Sequence, residues 1–496
     1  MPPALSAYEP VIGLEVHSHL KTRTKCFCSC PAEFGAAPNT NICPVCVGHP
    51  GVLPVLNERA VELLLRAALA LNCRINKHSV FARKHYFYPD LPKNFQISQY
   101  ELPLAEDGFV EIKTDSGGLK KIRIKRIHLE EDAGKLLHAV GSRELDHTLV
   151  DYNRAGFPLM EIVTEPDIAS PQEAWEYLVT LKNILEYTEV SECNMEEGKF
   201  RCDANVSVRP VGERRLGTKT ELKNMNSMKG VRDALGYEIE RQTEILSSGG
   251  EVIQETRLWD ADNLVTRPMR SKEEAHDYRY FPEPDLPPLD LSDEFIEKIR
   301  RELPELPDKK RERFIKEYQL SEYDVSVLTA DKYLADYFEE GVRRLTDKSP
   351  QGYKLLANWV INEMLGRYNS ALIEKKYRTY PEMISPGNLA LLVNRISDGT
   401  ISGKTARIVF DELVLAGSSQ KSADDIIREK NLAQVSDESA ITKICEEAIA
   451  ENPRAVQEYK SGKERALGAV VGAVMKKSQG RANPSTVNTI LKKLLG

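Results

Sequence analysis

The sequence predicts an α+β protein whose front half is a largely antiparallel sheet and whose back half is helical. Three observations carry this. Short alternating segments separated by turn residues fill the chain to about Pro288. Asp285-Leu-Pro-Pro-Leu-Asp290 interrupts them, because consecutive prolines block both helix and ladder. Beyond it strands fade and helical periodicity takes over. At 496 residues the chain has room for about three domains, and the expected division is 1–290, 291–405 and 406–496. With 41% hydrophobic and 29% charged residues, whole-chain disorder is excluded. The best candidate for a membrane span, Val61 to Leu71, is broken by Glu62 and Arg66 and falls short of the roughly 18–20 apolar residues required. Met1-Pro-Pro-Ala-Leu has neither a basic nor an apolar leader, so the expected location is the cytoplasm.

In chain order, Val11 to Leu20 reads as a half-buried strand. Ile12, Leu14 and Val16 point one way; Gly13, Glu15, His17 and His19 point the other. Five of the nine cysteines then fall within residues 26–46. From Ile122 to Glu131 the alternation slips near Lys125-Arg126, which predicts a bulge; beyond it His128 and Glu130 lie opposite Ile127 and Leu129. Ser170-Pro-Gln-Glu173 reads as a capping box opening a helix with Trp175, Leu178, Leu181 and Leu185 on one stripe. Arg201 to Arg209 is a second alternating strand. Cys202, Ala204, Val206 and Val208 face the core, and Arg201, Asp203 and Asn205 face away. Lys219, Glu221 and Lys223 share a face in the next segment. A helix follows from about Ser227 to Leu246 and stops at Gly249-Gly250. Gly399-Thr-Ile-Ser-Gly403-Lys404-Thr405 is one residue short of a P-loop, and Ser402 reads as a helix N-cap instead. Residues 406–496 read as a small separate helical domain with few contacts to what precedes.

The cysteine crowding carries chemistry. Cys28-Ser-Cys30 and Cys43-Pro-Val-Cys46 suit a tetrahedral Cys₄ zinc knuckle, because Zn²⁺ favours thiolate and close pairs need little chain closure. The set leaves no open ligand position, so the zinc is expected to be structural. Cys26 is left out, since Lys25 beside it suggests the surface. Cys73, Cys193, Cys202 and Cys445 read as buried small hydrophobes. His49, His78, His85 and His276 read as structural or surface residues.

Carboxylates on polar strand faces are the second signal: Glu15 with His17, Glu130 and Glu131 in Glu130-Glu-Asp-Ala-Gly-Lys135, Glu161 after Pro158-Leu-Met, and Asp203. Oxygen ligands with one imidazole suit Mg²⁺ or Mn²⁺ bridging nucleotide phosphates. Lys84, Lys93, Arg201, Lys219 and Lys223 lie near in sequence as partners for phosphate oxygens. Two aromatic clusters, Tyr86-Phe-Tyr-Pro89 and Asp277-Tyr-Arg-Tyr-Phe-Pro282, read as loops. No Gly-x-Ser-x-Gly or serine-rich amidase stretch is present. From Ser461 to Gly496, seven basic residues stand against Glu464, a net +6 in a chain of net −7, so the body is −13. Such a tail can bind nucleic acid.

Taken together, Val11-Ile-Gly-Leu-Glu-Val-His17, Cys43-Pro-Val-Cys-Val-Gly-His-Pro-Gly51, Arg83-Lys-His-Tyr-Phe-Tyr-Pro-Asp90, Glu130-Glu-Asp-Ala-Gly-Lys135, Met195-Glu-Glu-Gly198, Arg201-Cys-Asp-Ala-Asn205, Glu221-Leu-Lys-Asn224 and Asp277-Tyr-Arg-Tyr-Phe-Pro-Glu-Pro-Asp285 resemble the B subunits of aspartyl/glutamyl-tRNA amidotransferases. Leu467-Gly468, Val474-Met-Lys476 and Gly480-Arg-Ala-Asn-Pro484 resemble the helical tail domain of that family. The resemblance implies a kinase-like cradle of glutamine-synthetase-like fold, a helical domain and a tRNA-binding tail. It implies a heterotrimer with an amidase A subunit and a small C subunit, glutamine being hydrolysed in the former. It implies ATP and Mg²⁺, and phosphorylation of the side-chain carboxylate of Glu-tRNA(Gln) or Asp-tRNA(Asn). Glu15, His17, Glu130 and Asp203 are then expected at the reacting phosphate and its metal, joined by Glu131 and Glu161. Lys219 and Lys223 are expected on phosphate. A non-catalytic scaffold would have no need of carboxylates around one cleft, and a free-standing ligase would need its own ammonia source.

Overall fold

The computed structural model describes residues 7–115, 117–140, 143–269, 278–373, 377–417, 421–434, 438–478 and 482–496. His276, Asp277, Gly480 and Arg481 lie outside them. The described chain falls into two compact units, 1–306 and 307–496. No described helix is long and apolar enough to cross a membrane.

The first unit is built on a nine-stranded sheet. From edge to edge it runs Val265–Pro268, Thr256–Asp260, Thr220–Lys223, Phe200–Pro210, Tyr8–His19, Pro158–Thr164, Leu119–Glu131, Ala105–Lys113 and Arg74–Ile75. Neighbours are antiparallel except Thr220–Lys223 with Thr256–Asp260. Helices Glu58–Ala70, Pro171–Tyr187 and Met228–Ser247 share one apolar core with the inward residues of the sheet, among them Ile12, Leu14, Val16, Cys202, Ala204, Val206, Leu178, Leu181 and Leu235. The opposite face of the central strands is left to polar side chains. A second small sheet, Phe281–Pro282 with Phe81–His85 and Phe95–Gln99, closes over one side of it.

The bulge is where the alternation slips. Val163 pairs with Arg126 and Thr164 with Ile124, so Lys125 is the extra residue. Ser170 caps its helix by accepting from the Glu173 N–H at 3.0 Å. The return arm of the capping box is displaced by one residue: Glu173 accepts from the Ala169 N–H at 2.8 Å and from Lys120. Ser402 caps helix Gly403–Ala416.

Three readings differ from the sequence. The proline-rich stretch 285–290 is sewn into the first unit. Leu289–Asp290 pairs with His78–Ser79, and Arg83 forks onto Glu283 at 2.8 Å and onto Asp285 at 3.1 Å. The following helix, Asp293–Arg301, puts Ile296 and Ile299 into the first core, so this unit runs to Leu306 rather than ending at 290. The division at 405/406 falls inside helix Gly403–Ala416. Its Ala406, Val409, Phe410 and Leu413 complete the apolar core spanning 314–427, while a further core spans 441–495. The serine cap marks the start of a helix there, not the start of a domain. Lys25 is not at the surface either: it is 0% exposed, as is Cys26, whose sulfur joins the first core.

The middle core gives a direct expectation. Phe410, 1% exposed, lies 5.6 Å from the Trp359 ring. Phe410→Ala should destabilise the helical unit by about 3–5 kcal/mol, read from the denaturation midpoint of Trp359 fluorescence. A chain ending at 405 should lose this core, and one ending at 434 should keep it. Equal midpoints for both truncations would contradict the assignment.

Candidate functional site

Strand Tyr8–His19 lies between Pro158–Thr164 and Phe200–Pro210, and its register decides which side chains meet. His17 stands opposite Glu161 on one side and Arg201 on the other; Glu161 stands opposite His128. Glu15 stands opposite Asp203. Because alternate residues share a face, four adjacent strands present one row of ionisable groups: Arg201, His17, Glu161 and His128. Glu15 with Asp203 and Glu130 flank it.

His17 Nε2 lies 3.6 Å from Glu15, 3.7 Å from Glu130 and 3.4 Å from Glu161. His128 Nε2 lies 3.6 Å from Glu130 and 3.4 Å from Glu161. Ser98 donates to Glu130 at 3.1 Å, and Arg126 lies 3.6 Å from Glu161. Burial disfavours both charged imidazoles, yet the carboxylates prevail: His17 is raised, and His128 is pushed up to about 9. Burial likewise opposes ionisation of Glu161 and Glu130, and the imidazoles, with Lys84 at Glu130, hold both below the ordinary range. Glu15 is raised, by burial first and by Glu161 next. The charges interlock in one small volume: Glu15, His17 and Glu161, and His128, Glu130 and Glu161, each offer ligand atoms within 4.8 Å of one another.

The basic residues divide. Lys84 is half-buried, its Nζ 4.8 Å from the Tyr278 ring centroid; burial opposes its charge, but Glu130, Tyr280 and Glu161 raise it above the usual lysine range. Lys223 donates to Asp203 at 2.8 Å and lies 3.2 Å from Glu221. Lys219 lines a cleft of about 270 Å³ with Glu15, Gly13 and Asn205. Arg201 donates to Asp132 at 3.0 Å. Lys93 and Glu131, in contrast, are not part of the cluster. Successive residues of a strand point to opposite faces, so Glu131 turns away from Glu130. Its carboxylate is held by Lys93 and by the Ile97 N–H at 2.9 Å.

Two groups escaped the sequence reading as site residues. His128 shares the face of Glu130, two residues on, and the same period-two argument applies to it. Asp132, just past the strand end, is buried against His19 at 2.7 Å, Arg201 at 3.0 Å and Arg154 at 3.4 Å. Burial opposes its ionisation, but Arg201, Arg154 and His19 hold it well below the carboxylate range. No alternation pattern extends to it.

The four sulfurs of Cys28, Cys30, Cys43 and Cys46 lie within 4.8 Å of one another. The Cys43 N–H donates to Cys46 Sγ at 3.2 Å. The Cys46 thiol is pulled down to about 4, first by the Cys28 thiol and against burial, with help from the Cys43 N–H and the Lys25 ammonium. Four converging sulfurs, one already acidic, fit a thiophilic cation of tetrahedral preference.

A family model described as the GatB/GatE catalytic domain matches residues 10–297, and one described as the GatB domain matches residues 336–495. A protein of Carboxydothermus hydrogenoformans is 54% identical over 485 residues, covering 98% of each chain. One of Thermoanaerobacter pseudethanolicus is 54% identical over 489 residues, covering 98% of this chain and 99% of the relative. One of Persephonella marina is 53% identical over 488 residues with the same coverage. Each is named as the B subunit of an aspartyl/glutamyl-tRNA(Asn/Gln) amidotransferase.

Proposed function

The chain belongs to the family of tRNA-dependent amidotransferase B subunits, and on that premise we propose that its polar sheet face passes the γ-phosphoryl group of ATP to the side-chain carboxylate of Glu-tRNA(Gln) or Asp-tRNA(Asn) and then amidates it. The observation that carries this reading is the cluster of Glu15, His17, Glu130 and Glu161, with ligand atoms drawn together on adjacent strands. A carboxylate is a poor acyl donor because oxide is a poor leaving group. Its oxygen attacks the γ-phosphorus, the bond to the β-phosphate oxygen breaks, and ADP departs. Ammonia attacks the acyl carbon, the bond from that carbon to the phosphate oxygen breaks, and the proton that nitrogen loses leaves on the phosphate.

Glu15, His17, Glu161 and Glu130 suit Mg²⁺ as a mainly oxygen donor set, with Asp203 beside Glu15. Bound there, Mg²⁺ supplies charge neutralisation at the phosphates. Lys219 and Lys223, at the Glu15 end, are suited to phosphate oxygens. Lys84 and Arg201 add positive charge along the same face, where it stabilises the transferring group. Cys28, Cys30, Cys43 and Cys46 hold a structural Zn²⁺. Ammonia comes from glutamine hydrolysed in a partner amidase A subunit, assembled with a small C subunit. ADP release by the assembled complex is the test. It should require misacylated tRNA, ATP and Mg²⁺, and amidation should persist with ammonium chloride in place of glutamine. ADP release indifferent to the tRNA would contradict the proposal.

The last helices hold the tRNA backbone in this reading. Lys463, Arg465, Lys476, Lys492 and Lys493 are exposed. Lys477 is partly spent on Glu447 at 3.2 Å and Glu451 at 2.7 Å, acids that the tail-only charge count leaves out. Changing Lys476, Lys492 and Lys493 to glutamate should weaken tRNA binding and lower its salt slope by about one for each lysine–phosphate pair removed, measured across a salt series. An unchanged slope would place the tRNA elsewhere.

A further inference from the structure

The cysteine knuckle rests on a buried cation. Lys25 is 0% exposed, and its Nζ lies 3.6 Å from Cys46 Sγ and 3.3 Å from the Tyr152 carbonyl oxygen. Its stem passes beside Gly156, where an added Cβ would stand 3.5 Å from both Lys25 Cδ and Cys46 Cβ. Both distances are ordinary contact, so the site packs closely around the glycine, whose φ of +85° is what favours it there. The backbone fixes the approach: the Lys25 N–H donates to Cys30 O at 3.0 Å, and the Cys26 N–H donates to Gly156 O at 2.8 Å. The carboxylate across Gly156, Glu131, is taken by Lys93 and the Ile97 N–H.

A fully buried ammonium is costly unless an anion compensates it. The anion offered here is sulfur. A divalent cation held by four thiolates carries a surplus of two negative charges, and that surplus needs charge from the protein around it. We infer that Lys25 is the internal counter-cation of the Cys₄ metal centre, offsetting its surplus negative charge and slowing loss of the metal. The inference rests on the zinc reading given above. It also defines the contact between the knuckle and the polar face. Lys25 binds Tyr152 O, and Gly156, beside its stem, donates its N–H to Asp132 O at 2.9 Å. Asp132 is the partner of His19 and Arg201.

The experiment is chelator-driven zinc release, followed with a metallochromic dye, from the full-length chain. Wild type, Lys25→Met and Lys25→Gln are compared. Glutamine keeps a donor for Tyr152 O but removes the charge. Both variants should release zinc about tenfold faster or more, and to similar extents. Wild-type release from Lys25→Gln would assign the side chain to packing and hydrogen bonding alone and overturn the inference, as would unchanged release from both. If neither variant folds, Lys25→Arg decides. Recovery of a zinc-holding fold by arginine supports a charge requirement, and its failure contradicts one. Absence of zinc from the wild-type chain would remove the zinc reading and this inference together. Zinc-loaded wild type with indifferent variants removes only the latter.

Discussion

Replacing Glu130 by alanine should lower amidation of misacylated tRNA by the assembled complex about 100-fold to 1,000-fold, the scale on which preorganised electrostatic groups act. Glutamine hydrolysis in the partner subunit should change little. Glu130 is 2% exposed and is shared by His17, His128 and the Ser98 hydroxyl. Removing it takes one carboxylate from the donor set and leaves the buried His128 imidazole leaning on Glu161 alone and that of His17 on Glu161 and Glu15. Glu130→Gln separates chemistry from folding, because it keeps the shape and an acceptor for Ser98 while losing the charge. The glutamine variant should be folded and still defective in tRNA-dependent ADP release. Near wild-type amidation by both variants would show that the cluster does not serve the reaction.

Losing a sulfur of the Cys₄ cluster should act on folding first. Cys43→Ser removes one of four sulfurs, and purified protein should fall from about one zinc per chain to a small fraction of that by elemental analysis. Structural zinc contributes about 10–16 kcal/mol in isolated finger peptides. The effect here should be smaller and local, since the first unit has its own extensive core. The knuckle is anchored at its base by the Asn57 N–H on Cys26 O at 2.8 Å and the Val55 N–H on Phe27 O at 3.0 Å. Protease cuts should therefore concentrate between residues 28 and 52, with the strand signature in circular dichroism preserved. Full zinc content in a variant with serine at 28, 30, 43 and 46 would reject the assignment.

Period two made most of the polar face legible. The alternation around Ile12, Leu14 and Val16 assigns Glu15 and His17 to one side, and that around Ala204 assigns Arg201 and Asp203. Lys125 announced itself because a bulge must break the alternation. The same rule also separates Glu131 from Glu130, so counting both as ligands of one ion overrode it in favour of composition. Cross-strand partners were not legible: nothing in the sequence says that His17 meets Glu161, which lies 144 positions away. Nor does sequence give the direction of a long side chain. Lys25 beside Cys26 reads as surface until the fold turns both inward. The prolines at 287 and 288 do break regular structure, but a two-residue strand and the Arg83 fork hold the segment in place. At Ser402 the cap was legible and the core behind it was not, because Phe410 packs on Trp359 from an earlier helix.

Oxygen transfer reports on phosphorylation of the carboxylate itself. If the side-chain carboxylate is activated by phosphorylation, one of its oxygens must leave with the phosphate. Glu-tRNA(Gln) labelled with ¹⁸O in the γ-carboxylate is supplied to the assembled complex with ATP, Mg²⁺ and glutamine, and inorganic phosphate is analysed by mass spectrometry. Phosphorylation of the carboxylate puts one ¹⁸O in the phosphate for each amide formed. Unlabelled phosphate at full amidation, or label found in AMP, would contradict it.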